Sequence, residues 1–149
     1  MFLSNPGIVP VPKVTDMGYL DGPLIYQSAT DRITIPLGFL TDQASTPKVF
    51  DWIPFLDRQG FSRRAGALHD GIYCLGRNRG KDFADGILSE ALIAEGMTIR
   101  QAQVYFEAVQ CFAQSAWDSD AATADVPSMH FWSDASYEVF RVSGSNIYS

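Results

Sequence analysis

The positions of the prolines constrain the fold of this chain more than any other feature. Seven of the eight prolines lie within roughly the first 57 residues, at Pro6, Pro10, Pro12, Pro23, Pro36, Pro47 and Pro54. Because a proline inside a helix removes a hydrogen bond and clashes with the preceding turn, long helices are excluded there. Short strands fit instead at Leu24 to Ser28 and at Arg32 to Pro36, where isoleucine alternates with threonine. With Asp31 in the turn between them, we predict an antiparallel hairpin.

From Ser62 to about Asp118 the apolar residues repeat at helical spacing. The first predicted helix begins at Ser62, its N-cap, and ends before Gly76. Its inner stripe consists of Ala65, Leu68, Ile72 and Leu75. The second helix is predicted from about Lys81 to Glu95, with Gly96 after it.

Thr98 is the predicted N-cap of a third helix. The residues that mark its inner seam are Ala102, Tyr105, Val109, Phe112 and Ala116. Three helices joined by short glycine-containing connections should pack as a small antiparallel cluster. We therefore predict an α+β fold, with a small antiparallel sheet or hairpin followed by a three-helix cluster and a C-terminal extension.

The length of 149 residues favours one domain with a substantial core. We place a single α+β domain at residues 1–118, with a proline-rich N-terminal arm at residues 1–22. Residues 119–149 are a C-terminal extension that is too apolar for a free linker. Within the extension, Tyr137 to Val142 is predicted to be a strand or a docking segment.

Charge and composition argue against several classes of function and of cellular location. A net charge of −6 opposes broad attraction to phosphate backbones, so nucleic acid is a poor candidate partner. Cys74 and Cys111 lie in apolar helical segments and are expected to be reduced core thiols. The N-terminal apolar run lacks a basic start and is broken by prolines, which predicts neither a signal peptide nor a membrane span. We expect synthesis and folding in a cytoplasm.

Three separated polar segments, LTDQASTP (40–47), LHDGIY (68–73) and KDFAD (81–85), suggest a shared site. Folding could bring together the carboxylate, hydroxyl and imidazole groups of Asp42, Ser45, His69, Asp70 and Asp85. Two of these groups have simpler explanations. Ser45 can cap a helix that starts near Pro47, and Asp42 can satisfy loop amides. The functional alternative is that either side chain faces a cleft beside amide donors of that helix.

His69 and Asp70 are adjacent on the first helix, so their side chains diverge by about 100° and only one can lie near the inner stripe. His69 and Tyr73 are four residues apart and therefore neighbours. Asp85, near the start of the next helix, is the expected carboxylate partner of His69, with Asp82 one turn earlier. The pair can be a polar strut between two helices or a catalytic unit. Only His130 remains as a further imidazole, so we expect no metal centre and no cofactor.

The order and spacing of several motifs resemble a known family. They are Ile-x-Ile-Pro-x-Gly-Phe (33–39), Thr-Asp-x-Ala-Ser-x-Pro (41–47), Ala-Leu-His-Asp-x-x-Tyr (67–73) and Ala-Asp (84–85). Together they resemble the phage and prophage family catalogued as domain of unknown function 1353, over about Pro23 to Phe112. Family members usually carry Tyr-Leu where this chain has Gly71 and Ile72. This difference indicates packing positions.

The resemblance implies a phage gene product from late tail or lysis genes, with no assigned activity. We expect a small virion subunit of the tail or baseplate, made in the bacterial cytoplasm and assembled into the particle. Partner proteins would contact the N-terminal arm and the aromatic C-terminal segment, which includes Phe131 and Trp132. The C-terminal segment can equally pack back onto its own domain.

The alternative is a hydrolase, possibly directed at the cell wall. In that hypothesis His69 is a general base oriented by Asp85, Ser45 is a nucleophile or Asp42 a second acid, and Tyr73 donates to an oxyanion. A third hypothesis is a regulatory protein that binds a host partner.

Overall fold

The computed structural model of the chain describes residues 1–14, 17–42 and 62–149, and shows an α+β fold. Within these residues, five short strands precede the helices. They are β1 (Ile8–Pro10), β2 (Met17–Leu20), β3 (Leu24–Gln27), β4 (Arg32–Ile35) and β5 (Leu40–Asp42). The α-helices are α1 (Ser62–Leu75), α2 (Lys81–Ala94), α3 (Ile99–Phe112), α4 (Gln114–Ala121) and α5 (Asp134–Val142). The described part of the chain also contains two 3-10 helices, Arg77–Arg79 and Pro127–His130.

The predicted hairpin is confirmed by the antiparallel pairing of β3 with β4, in which Leu24 faces Ile35 and Gln27 faces Arg32. Alternate residues of both strands are buried, as expected for a sheet with one face on the core. A second sheet has the order β1-β2-β5 and is antiparallel throughout. Short strands therefore form in the proline-rich part of the chain, as the sequence predicts.

Both ends of the chain pair with the β3–β4 hairpin. On one side, the amide of Leu3 donates to the carbonyl of Ile25 at 2.8 Å. On the other side, Arg32 and Ser149 exchange two backbone hydrogen bonds of 2.9 Å. The two termini thus cover the two edges of the hairpin, where unpaired backbone groups would otherwise be exposed.

The helical region follows the predicted boundaries closely up to Val109. Helix α1 begins at Ser62, and Ala65, Leu68 and Ile72 are buried as predicted. Thr98 caps α3 through a capping box with Gln101. Helix α2 packs against both α1 and α3.

The end of the third helix differs from the prediction. Helix α3 stops at Phe112, and Phe112 is 52% exposed, while Ala116 is also exposed. A new helix, α4, starts at Gln114, and this break moves the inward positions to Ala113 and Trp117. The prediction that Cys111 is a core thiol is also wrong, because its side chain is exposed.

The C-terminal extension packs on the rest of the chain. Tyr137 to Val142 is helical, so the strand alternative for this segment is wrong. Ser133 caps α5 by accepting a hydrogen bond from the amide of Ser136. Phe131, Phe140 and Ile147 are buried in the main core.

Close packing fixes α1 against the hairpin. A Cβ atom added at Gly71 would overlap the side chain of Ile35, so only glycine permits this approach of helix to sheet. Ile72 is fully buried. Both positions at which the chain departs from the family pattern are therefore packing positions, as predicted.

Candidate functional site

The carboxylate of Asp85 is the centre of the polar cluster. Its side chain is 0% exposed and lies in the second turn of α2. Oδ1 lies 2.8 Å from Nε2 of His69 and accepts a 2.6 Å hydrogen bond from the hydroxyl of Tyr73. Oδ2 accepts 2.6 Å hydrogen bonds from Nζ of Lys81 and from Nε2 of Gln110. One carboxylate therefore joins α1, α2 and α3. We call these five residues the Asp85 cluster.

Helical spacing places the members of the Asp85 cluster. His69 and Tyr73 are four residues apart on α1, and their ring centroids are 4.1 Å apart. Lys81 and Asp85 have the same spacing on α2. Burial alone would raise the pKa of Asp85, but the hydrogen bonds from His69, Lys81 and Tyr73 outweigh it and hold that pKa below its usual value. Asp85 is thus a stabilised buried anion.

Aromatic groups cover the Asp85 cluster on the side of α4. Trp117 meets the ring of Tyr73 edge to face, with centroids 4.9 Å apart. The guanidinium of Arg77 lies over the Trp117 ring at 3.7 Å and also donates to the carbonyl of Tyr73. Burial and the bond to Asp85 raise the pKa of Tyr73. The proton of Tyr73 is therefore held by Asp85.

Asp70 makes a separate contact with the second sheet. Its Oδ2 accepts a 2.8 Å hydrogen bond from the hydroxyl of Thr41 on β5. Burial is the main cause that raises the pKa of Asp70 to about 7, and the negative charges of Asp42 and Asp120 act in the same direction. Asp70 therefore changes its charge near neutral pH, where an ordinary Asp is fully ionised.

The structure brings together only some of the predicted site residues. His69, Tyr73 and Asp85 meet as expected. Asp70 turns towards β5, and Asp42 at the end of that strand is close enough to affect its pKa. Ser45 lies outside the described residues. Asp82, the alternative partner on α2, is exposed.

Sequence reasoning missed three of the contacting groups. The Lys81–Asp85 spacing was present in KDFAD and could have signalled an ion pair within one helix turn. Thr41 and Gln110 gave no such signal, because they reach the site through packing between elements that are distant in sequence.

His130 lies apart from the Asp85 cluster, on the second 3-10 helix. Its Nε2 is 3.2 Å from the hydroxyl of Thr123. Burial lowers the pKa of His130, and the nearby charge of Asp120 partly offsets this effect. Among the residues that the structure describes, no group of three or more His, Cys, Asp and Glu side chains is arranged to hold a metal ion.

A protein-family model matches the part of the chain that carries most of this cluster. The model of the family described as "Protein of unknown function (DUF1353)" matches residues 19–109, which is more than half of the chain. The chain belongs to this family. The family region runs from β2 into α3 and contains four members of the Asp85 cluster, while Gln110 lies one residue beyond it. The C-terminal extension lies outside the family region.

Searches of curated proteins and of solved structures found no relative of this chain. In the described parts of the chain, no helix has both the length and the apolar character required to cross a membrane.

Proposed function

We propose that this protein is a small structural subunit of a tailed-phage particle, associated with the tail or baseplate. The phage context is what the resemblance to this family implies, namely a gene product often encoded among late tail or lysis genes. The choice of a structural role over an enzymatic one depends on the Asp85 cluster. In this proposal the chain is made in the cytoplasm of the bacterial host and is then built into the particle.

The observation that carries the structural role is the saturation of the Asp85 carboxylate. An ionised carboxylate offers about four lone-pair sites, and Asp85 meets four donors. These donors come from three helices and leave little acceptor capacity for a substrate. A buried carboxylate bonded in this way fixes the relative positions of the helices that supply its partners.

The contacts with partner proteins are proposed at the two chain ends. Each end is anchored on the β3–β4 hairpin and still presents exposed apolar groups. Met1 is 66% exposed and Leu3 44% exposed at the N-terminal end, and Trp132 is 44% exposed in the C-terminal extension. Trp132 stacks on Tyr19 with ring centroids 4.9 Å apart, which supplies a rigid aromatic surface.

Quantitative mass spectrometry of purified particles tests this proposal. We expect the chain at a fixed ratio to a known tail protein across independent preparations and after high-salt washing. A Leu3→Asp/Trp132→Asp variant should be made at normal levels and be depleted from particles. Absence of the wild-type chain from particles contradicts the proposal.

A hydrolase is the second candidate, and Asp70 is the observation that favours it. A carboxyl group whose pKa is raised to about 7 can act as a general acid or base near neutral pH. In this alternative, Asp85 orients His69 and Asp70 supplies or removes a proton.

Zymography on cell-wall material distinguishes the two candidates. The hydrolase requires wild-type clearing that is lost in His69→Ala and in Asp70→Asn, with His130→Ala as the matched histidine control. The structural proposal predicts no clearing by any of the four proteins. Clearing by wild type that only the His69 and Asp70 variants lack would replace the structural role by the enzymatic one.

A further inference from the structure

Helix α3 presents an apolar stripe on its outer side. Its inner side is set by Ala102, Tyr105 and Val109, which are buried. The stripe consists of Val104, Ala108, Cys111 and Phe112, at spacings that keep these residues on neighbouring turns, and the half-buried Ala108 forms its edge towards the core. Val104 is 44% exposed and Phe112 52% exposed, and the thiol of Cys111 is also exposed. We call these four residues the α3 stripe.

Two opposite charges flank the α3 stripe on the side of Val104. Arg100 and Glu107 are both exposed and are seven residues, or about two helical turns, apart. This spacing places them on the same flank of the helix. The side chain of Gln103 donates to Oε1 of Glu107 at 3.2 Å and holds that carboxylate on the outer face.

The order of Arg100 and Glu107 along α3 allows the charges of one copy of the helix to pair with those of a second, antiparallel copy. When two copies of one helix pack antiparallel across a twofold axis, each flank meets the same flank of the other copy in reverse order. An axis between Gln103 and Val104 therefore places Arg100 of each copy opposite Glu107 of the other. The same axis places the two Val104 side chains next to each other.

We propose that the α3 stripe is a homodimer interface in which a second copy of this chain packs its own α3 antiparallel to the first. A chain with a net charge of −6 repels its copies at long range, so association requires local pairs of opposite sign. The two Arg100–Glu107 pairs supply them. This inference goes beyond the particle proposal and does not depend on it.

The expected dimer is weak. A helix of 14 residues is about 21 Å long, so one stripe buries less surface than a standard stable interface. Exposed ion pairs are screened by salt, because the Debye length shortens as ionic strength rises. Association should therefore depend on protein concentration and should weaken in high salt.

Charge reversal tests the proposed interface by sedimentation equilibrium. Arg100→Glu and Glu107→Arg should each weaken self-association at least tenfold, because each places like charges opposite each other twice. An equimolar mixture of the two variants should associate as strongly as wild type or more so, because every facing pair is then opposite in charge. Arg141→Glu, a charge reversal at an exposed position of α5, should leave association unchanged.

Disulfide trapping gives an independent check on the position of the axis. In a Cys111→Ser background, Val104→Cys should form a dimer on mild oxidation, while Val139→Cys, which is 67% exposed on α5 in wild type, should stay monomeric. A wild-type chain that remains monomeric at millimolar concentration overturns the proposal. A mixture of the two charge variants that fails to associate also overturns it.

Discussion

At the scale of single residues, two aspartates in neighbouring elements have opposite electrostatic behaviour for clear physical reasons. Asp85 is fully buried yet keeps a low pKa, because four donors surround it. Asp70 accepts one side-chain hydrogen bond, from Thr41, and lies near two other carboxylates, so burial dominates and its pKa rises to about 7. The number of donors, and not burial alone, decides which carboxylate stays ionised.

Asp70 predicts a specific pH dependence of stability. Because its pKa in the folded state lies above the unfolded value of about 4, the folded state binds this proton more tightly. The stabilisation is therefore complete below about pH 4 and is lost as the pH rises towards 7. Asp70→Asn, which can still accept from Thr41, should be more stable than wild type by roughly 2–4 kcal/mol above pH 7. Urea unfolding across pH 4–8 measures the difference.

The exposed Asp82→Asn variant is the control for this measurement and should follow the wild-type curve throughout. The lowered pKa of Asp85 acts in the opposite direction, because its stabilisation is lost as the pH falls below the ordinary carboxyl pKa. The two aspartates therefore change the stability of the protein in separate pH ranges. A stability difference between Asp70→Asn and wild type that does not change with pH would contradict the raised pKa.

At the scale of elements, local sequence patterns correctly predicted the strands and helix starts that depend on local interactions. The hairpin followed from proline positions and alternation, and the start of α3 followed from the prediction of Thr98 as its N-cap. The error at Tyr137–Val142 has a physical cause. Its mixed apolar and polar residues fit a strand by composition, whereas Ser133 caps a helix that buries only Phe140 among the residues of α5. Alternation over six residues cannot separate these outcomes.

The polar site shows the same division between local and non-local contacts. The His69–Tyr73 and His69–Asp85 contacts were predictable, since the first uses spacing within one helix and the second joins two consecutive helices. The Gln110–Asp85 contact was not predictable, because it depends on how α3 packs on α2. Sequence therefore indicated the centre of the Asp85 cluster and missed part of its periphery.

The packing of the C-terminal segment leads us to expect that substitutions in it lower the stability of the protein. Ile147 is 1% exposed in the main core, and the adjacent Tyr148 donates a 2.7 Å hydrogen bond to the carbonyl of Gly76. Ile147→Ala should lower the free energy of unfolding by about 2–4 kcal/mol, through lost burial and a residual cavity. Val142→Ala, at a site 73% exposed, is the matched control and should change stability by less than about 0.5 kcal/mol. Equal effects of the two substitutions would show that the segment does not pack as described.

At the scale of the whole molecule, the C-terminal extension contributes to the same core as the family region. Phe131, Phe140 and Ile147 all belong to the main hydrophobic cluster, and the last residue pairs with Arg32 of β4. The sequence-based proposal that residues 1–118 form a domain of their own stays a prediction. From this packing we expect the extension to fold together with the family region.

Truncation tests whether residues 1–118 can fold without the C-terminal extension. A chain ending at residue 118 loses three buried apolar side chains and the C-terminal residues that pair with the outer edge of β4, so we expect it to lack a cooperative unfolding transition. Circular dichroism melting of the truncated and full-length chains makes the comparison. A cooperative transition within a few degrees of full length would instead support an independent domain at residues 1–118.

We propose that the Asp85 cluster serves to hold the three helices together. Removing one member of a buried, hydrogen-bonded charge cluster is strongly destabilising, because the charges that remain are buried without compensation.

The most direct test is the free energy of unfolding of Asp85→Asn at neutral pH, measured beside Asp82→Asn on the same helix. The substitution places an amide hydrogen-bond donor among four existing donors, so we predict a loss of about 3–5 kcal/mol for Asp85→Asn. Asp82→Asn should change stability by less than about 0.5 kcal/mol. An Asp85→Asn protein as stable as wild type, or more stable, would contradict the account.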